Sequence, residues 1–394
     1  MDENMGKKIV DEVVNASNNK TTNDQPTNNQ SNDMRKKLMR IMLIVIGVLV
    51  IILIVILIIS LFTGRNKSYE AIETELENAA KEYYDVQSGL LPQEEGEVVT
   101  VNASILAENG YMDPLSELRS GEDCTGRVEV TKINGEIIYT PYLECGDNYV
   151  TKELYKAVLE QGLVTTGNGL YDLNGEKVYR GETVNNYVKL DNALFRIVKI
   201  IANNQILLIA DDVLDSSSLP YDDRYNSDRN YNSGINDYRV SRIKSSLEEI
   251  YNGNTLLSNN DKEKLTTFNL CIGKRSEEES INTNGAECSD VLNNQMIGLL
   301  TVSDFINASL DSNCKKTTDR SCQNYNYLRL RDAEWWLLTS NNSNTYQAYA
   351  VRTYGYIESF NASNMKRIRP TVMLNSNAMI KSGDGSASSP YILK

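Results

Sequence analysis

Apolar and polar positions divide the chain into three regimes. Residues 1–40 are polar and Asn-rich, as in "NASNNKTTNDQPTNNQSND", and show no apolar period. Such a stretch cannot bury enough surface to order itself, which predicts a disordered inner tail. From Ile41 to Phe62 runs "IMLIVIGVLVIILIVILIISLF", 22 residues without a charge. At about 1.5 Å per residue it reaches roughly 33 Å, the depth of a bilayer's hydrocarbon core. It is longer than the apolar region of a cleaved signal peptide, and "LFTGRNK" offers no small-residue cleavage site. The reading is an uncleaved signal anchor over 41–63. Beyond it the apolar runs are short and alternate.

The first of these, over 64–152, mixes both periods. Ile72, Leu76, Ala79, Ala80 and Tyr83 recur at helical spacing. "VVTVN" then reads as a strand, with a short helix after it. "GRVEVTKINGEIIYTPYLEC" carries Asn134-Gly135 between two alternating runs, the strongest short-range hairpin signal. The sum is a small α+β stalk module. Residues 153–178, "ELYKAVLEQGLVTTGNGLYDLNGEKV", read as a linker with Gly-rich turns.

From 179 to 394 strands dominate. Tyr187–Leu190, Ala193–Ile201 and Gln205–Ala210 are three β runs separated by Asp191-Asn192 and Asn203-Asn204 turns. Between Asp211 and Asn324 the chain is long-looped and Tyr-rich. Helices are expected at "VSRIKSSLEEIYN", through Ile243, Leu247 and Ile250, and at "TVSDFINASL", with Ser303 as N-cap. "EWWLLTS", "YQAYAVRTYGYI" and "RIRPTVMLN" return to strand, and a short terminal strand closes "SGDGSASSPYIL". The expected class is α+β: a single N-terminal transmembrane helix, a small α+β module, and a mostly antiparallel β domain with long loops.

Charge sets the orientation. Arg35, Lys36, Lys37 and Arg40 precede the span, against Arg65 and Lys67 just after it, so the N-terminus stays in the cytoplasm and the rest is extracellular. Seven of the 40 basic and six of the 53 acidic residues lie before the end of the span, leaving 33 and 47 outside, a net charge of −14. That excludes nucleic acid as a partner. All six cysteines, Cys124, Cys145, Cys271, Cys288, Cys314 and Cys322, fall on the exported side. An even count confined to the oxidising side reads as disulfides. About 15 pairings are open to six cysteines, and the sequence-adjacent set is the simplest. The chain has no histidine. Ser-His-Asp and Cys-His catalysis and His-ligated zinc therefore drop out. No cofactor is implied.

Two resemblances follow from quoted segments. The membrane helix, the following helix and the Cys-bracketed hairpin, over 41–150, loosely resemble pilins and pseudopilins. Arg40 stands where a prepilin has its processing Gly, and Val45 where it has Glu, which points to a stalk rather than a polymerising pilin. The stalk is a candidate for self-association. "NYNYLRLRDAEWWLLTS", "YAVRTYGYI", "RIRPTVMLN" and "GDGSASSPYIL", with the opening Asn186-Tyr187-Val188 and Phe195-Arg196-Ile197-Val198, resemble an uncharacterised bacterial surface-domain family. That pattern is similar to the C-type-lectin-like and formylglycine-generating-enzyme-like folds. It implies a domain over 179–394 that presents loops at a cell surface. The copper cysteines of the second group would fall nearest Cys314 and Cys322, where a closed disulfide loop is the preferred reading.

Candidate chemistry is sparse. Trp335 and Trp336 are adjacent, and in a strand their side chains point to opposite faces. One fills the core; the other meets either covering loops or a ligand such as a glycan or surface protein. In the second case Tyr325, Tyr327, Tyr354 and Tyr356 would extend the aromatic platform. "DRNYNSGINDYR" fails as an EF-hand, since Arg239 stands where the bidentate Glu belongs. Asp222, Asp223 and Asp228 remain weak calcium candidates. No pair of carboxylates stands out for glycoside hydrolysis. The expected function is non-enzymatic ligand binding or adhesion at the cell membrane, with a structural subunit of a pilus-like assembly or an envelope hydrolase as alternatives.

Overall fold

The computed structural model describes residues 28–63, 66–133, 135–191, 193–214, 218–280 and 286–394. The tail expected over 1–40 lies outside the described residues as far as residue 27. Contacts divide the chain into two compact units, 1–72 with 113–122 and 73–112 with 123–394.

The first unit is dominated by α1 (Asn28–Thr63), 36 residues long. The large apolar side chains from Leu38 to Ile54 are 47–66% exposed. This helix is long and apolar enough to cross a membrane. It starts 13 residues ahead of Ile41, so residues 28–40 are helical rather than tail-like. The reason lies in "MRKKLMR": these are good helix formers, and propagation from an existing nucleus costs little. Elsewhere in this unit, a helical turn at Leu115–Leu118 leads to Arg119. Its guanidinium lies 4.1 Å over the Tyr69 ring and pairs with Glu122 at 2.8 Å.

The second unit takes in α2 (Tyr69–Val86) from Glu73 onward, burying Leu76, Ala79, Ala80 and Tyr84. Next come β1 (Val98–Asn102), α3 (Ala103–Glu108), β2 (Cys124–Ile133), β3 (Glu136–Cys145) and β4 (Tyr149–Val150). The four strands form an antiparallel sheet in sequence order. The β2–β3 pairing runs from Ile133 opposite Glu136 to Cys124 opposite Cys145, as an Asn-Gly turn dictates. A Cys124–Cys145 disulfide ties the outer ends.

Residues 153–178 are not a linker. They form α4 (Leu154–Glu160) and β5 (Gly169–Leu173), and Leu154 and Val158 are fully buried in the main core. The α4 apolar positions lie four apart and so share one face, which the Gly-rich turns around it concealed. Backbone bonds Leu154 N to Ala378 O (2.8 Å) and Ile380 N to Lys152 O (2.9 Å) join this segment to residues 375–380. Glu73 accepts hydrogen bonds from the Thr151 hydroxyl and from Lys394 Nζ, the latter at 2.6 Å.

The chain continues through β6 (Glu176–Arg180), β7 (Tyr187–Leu190), β8 (Ala193–Ile200), β9 (Ile206–Ala210) and β10 (Leu219–Pro220). Two helices follow, α5 (Arg242–Asn252), capped by Ser241, and α6 (Asn259–Glu263). Then come β11 (Leu265–Thr266), β12 (Phe268–Cys271), β13 (Val291–Gln295) and α7 (Val302–Asn307). The rest is β14 (Trp335–Ser340), β15 (Gln347–Val351), β16 (Ile357–Asn361), β17 (Met365–Lys366), β18 (Thr371–Leu374), β19 (Ile380–Ser382) and β20 (Tyr391–Leu393).

A nine-stranded sheet in the order β11-β18-β9-β8-β7-β20-β19, with β6 on β8 and β5 on β6, carries most of the core. It is antiparallel apart from the parallel β7–β20 pair. β14, β15 and β16 form a separate antiparallel sheet. The fold is α+β and mostly antiparallel. Disulfides Cys271–Cys288 and Cys314–Cys322 complete the sequence-adjacent set.

One cap differs from expectation. Thr301, not Ser303, caps α7, because Thr301 and Asp304 stand at the reciprocal capping-box spacing. Ser303 falls inside the helix, and its hydroxyl goes to Glu287 at 2.6 Å.

Candidate functional site

One face of the large sheet is left as the floor of an open cleft of about 1120 Å³. Its central row is set by register: Lys199 on β8 opposes Leu207 on β9, Leu207 opposes Met373 on β18, and Met373 opposes Thr266 on β11. Thr371, two residues before Met373, shares that face and lines the cleft. The extended backbone 265–271 forms one wall, with Leu299, Thr301 and Asp304 opposite; the β2–β3 hairpin adds Glu136 and Ile138. Turns at Asn174-Gly175, Asn203 and Asn375–Asn377 supply side-chain amides and backbone around the mouth. Asn174 (φ 56°) and Gly175 (φ 93°) form the left-handed two-residue turn that a tight hairpin requires.

Lys199 is the one cation in the lining among the described residues. Its ammonium lies 3.0 Å from Glu176 Oε2 and 3.1 Å from Asp304 Oδ1. Burial works to lower its pKa, but the two carboxylates outweigh this and raise it above the ordinary lysine value. The two carboxylates thus favour its ammonium form. Asp304 is also engaged through its other oxygen, which accepts the Thr301 hydroxyl at 2.6 Å.

Deeper in, Glu287 is 1% exposed and accepts from Ser303 N (3.1 Å), Ser303 Oγ (2.6 Å) and Thr339 Oγ1 (3.3 Å). Fully buried Arg275 supplies its counter-charge at 3.4 Å and is itself held by Thr317 Oγ1 and Ser280 O, both at 2.7 Å. A buried carboxylate needs such satisfaction, since an unpaired one costs several kcal/mol. The exception to this order is the Thr371 hydroxyl, which is buried and meets no hydrogen-bond partner among the described residues.

Residues 203–376 match the domain of unknown function DUF6273. No curated protein and no solved structure matches the chain. The DUF6273 segment contains β9 through β18 and most of the cleft, whereas Glu136, Glu176 and Lys199 come from outside it.

The aromatic candidates within the DUF6273 segment do not form a surface platform. Trp335 and Trp336 are both 0% exposed. Strand geometry does send them to opposite sides, but each side is covered. Trp335 meets Phe305 edge-on at 6.0 Å and has the Arg369 guanidinium 5.2 Å from its ring. Trp336 meets Tyr221 at 5.7 Å and donates from Nε1 to Leu219 O at 2.9 Å. Tyr327 is also buried, donating to Ile197 O at 3.2 Å. Tyr325 and Tyr354 are exposed, and Tyr356 is half-buried beside Arg320. Of the two readings left open for the second indole, the structure shows the covered one: the segment between β9 and β14 supplies Tyr221 and Leu219 over Trp336.

The calcium candidates are likewise taken. Asp222 is fully buried and chelated by Arg224, from Nε at 2.9 Å and Nη2 at 2.5 Å. Asp223 pairs with Arg242 at 2.5 Å, and Asp228 accepts from the Thr345 hydroxyl. Guanidinium groups thus hold Asp222 and Asp223, and a hydroxyl holds Asp228.

Sequence reasoning missed the cleft. Its one accessible signal was Lys199, a charge inside "ALFRIVKI", where every other position but Arg196 is apolar. A lysine in a buried strand needs carboxylate partners, but which ones is decided by the fold.

Proposed function

We propose that the chain is a membrane-anchored, exported binding protein that holds its ligand in the cleft and does no chemistry on it. α1 is the anchor, the exported part faces the cell exterior, and its three disulfides suit an oxidising compartment. The observation that carries the reading is the cleft itself, larger than most ligand pockets, with Leu207 and Met373 set among Lys199, Thr266 and Thr371 on its floor. Its buried carboxylates are spoken for: Asp304 by Lys199 and Thr301, Glu287 by four donors. Neither is poised as a general acid or base, which speaks against the hydrolase alternative. The reading draws support from the order of β14, the Gly355 turn and Arg369-Pro370 ahead of β18, which suits a lectin-like layout, and from β1–β4 with α2, which suits a pilin-like one.

The test uses the full chain in lipid nanodiscs against glycan and peptide arrays. Thr267 is exposed on the cleft wall, so Thr267→Trp obstructs the ligand's path along that wall without touching the core. Binding that Thr267→Trp removes, with the fold intact, supports the reading. Binding that survives this substitution, or its complete lack on both arrays, sinks it. Protease added to intact cells should digest the region after residue 63, and protection of that region would overturn the topology.

A further inference from the structure

We infer that the ligand is an extended, basic peptide segment of another exported protein, laid along residues 265–271. This rests on the cleft being the ligand site, and three observations point to the class.

Charge is the first. The lining holds Glu136, Glu176, Glu263, Glu287 and Asp304 against the single ammonium of Lys199. Glu136 and Glu263 are exposed at the mouth and have no ion pair among the described residues. The region after the span is itself acidic, at net −14. An anionic ligand is repelled and a cationic one is drawn in.

The second is backbone. β11 pairs only with β18, and β12 only with β13, among the described residues. The run 265–271 therefore carries strand edges along the cleft wall over a length of about 23 Å. Such an edge recognises an added strand through main-chain hydrogen bonds.

The third is alternation. Phe268 and Leu270 are buried, while Thr267 and Asn269 are exposed, so apolar and polar contacts recur every second residue along this wall. A peptide strand has the same period of two; a sugar chain does not. Phe268 is the one aromatic ring in the lining among the described residues, which leaves little stacking surface for a glycan.

A positional-scanning library of fluorescent peptides about seven residues long, matching the wall's reach, tests this by anisotropy with the full chain in nanodiscs. The expected outcome is a Lys/Arg preference at one or two positions, with aliphatic preference at alternate ones. Affinity should fall as salt rises from about 0.05 to 0.3 M. Glu136→Gln with Glu263→Gln, both surface changes, should weaken basic peptides by about three- to tenfold and relax the Lys/Arg preference while leaving the aliphatic one. A preference for acidic peptides, or indifference to the Glu136/Glu263 pair, overturns the inference. Neutral sugar oligomers binding in a Thr267→Trp-sensitive way, with no peptide bound, overturn the peptide class but leave the cleft as the site. Failure of both probes removes the site as well.

Discussion

Replacing Trp336 separates a core indole from a ligand platform most directly. The side chain is 0% exposed, packs edge-on against Tyr221 at 5.7 Å and donates to Leu219 O at 2.9 Å. Truncating a buried Trp to Ala costs about 3–5 kcal/mol from lost transfer energy and the cavity left behind. Orphaning the Leu219 carbonyl adds about 1 kcal/mol more. Trp336→Ala should therefore lose about 4–6 kcal/mol. The Phe variants sharpen the comparison. Trp336→Phe keeps a ring against Tyr221 but loses the N–H bond, whereas the Trp335 indole N–H has no partner among the described residues. Trp336→Phe should thus cost about 1 kcal/mol more than Trp335→Phe. The chain holds two tryptophans, so each single variant keeps one indole as its own fluorescent reporter. Urea unfolding in detergent micelles, followed at that indole, gives the midpoints. If Trp336→Ala unfolds at the parent's midpoint, or if the two Phe variants reverse their order, the packing described here is wrong.

Three further outcomes are expected. Arg275→Met should destabilise by about 3–5 kcal/mol because it strands Glu287 without a cation, and adding Glu287→Gln should recover most of the loss in a double-mutant cycle. Under mild reductant Cys271–Cys288 should open before the other two bridges, since Cys288 is exposed whereas Cys145, Cys314 and Cys322 are buried; differential alkylation and mass spectrometry read the order. Its 17-residue separation corresponds to about 3 kcal/mol of lost stability on the chain-entropy model. For Glu153, burial raises the pKa, but hydrogen bonds from Lys156 and Tyr142 outweigh it and hold the carboxyl below the ordinary glutamate value. A depressed folded pKa means stability that is present above the unfolded value and lost as pH falls through the folded one. Glu153→Gln should accordingly flatten the stability curve below about pH 4.5 and lower its neutral plateau, as equilibrium unfolding across pH would show.

Local patterns were legible in the chain. The Asn134-Gly135 hairpin, the β7–β9 runs and the pairing of neighbouring cysteines follow from turn chemistry and short loop closure, which depend on residues close in sequence. Features set by distant residues were not. α4 looked like a linker because its two buried positions sit between Gly-rich turns, and the residues that bury it come from later strands. The cleft draws Glu136, Lys199, Phe268 and Thr371 from separate elements, and apart from Lys199, a charge in an apolar run, none of them stands out locally. The indoles illustrate the boundary between the two cases. Strand alternation correctly separates their directions, but what each direction meets is tertiary information.

The β7–β20 pairing sets Val188 beside Tyr391, and Glu73 is held by Lys394. Strands made early in synthesis thus wait for neighbours some two hundred residues downstream. If the chain is threaded outward through a translocation pore, its large sheet cannot close until nearly all of it has emerged, and the half-built edges stay open meanwhile. Export of this protein would then depend on whatever shields nascent chains at the outer face, and slowing its passage should cost yield even where the finished fold is unaltered.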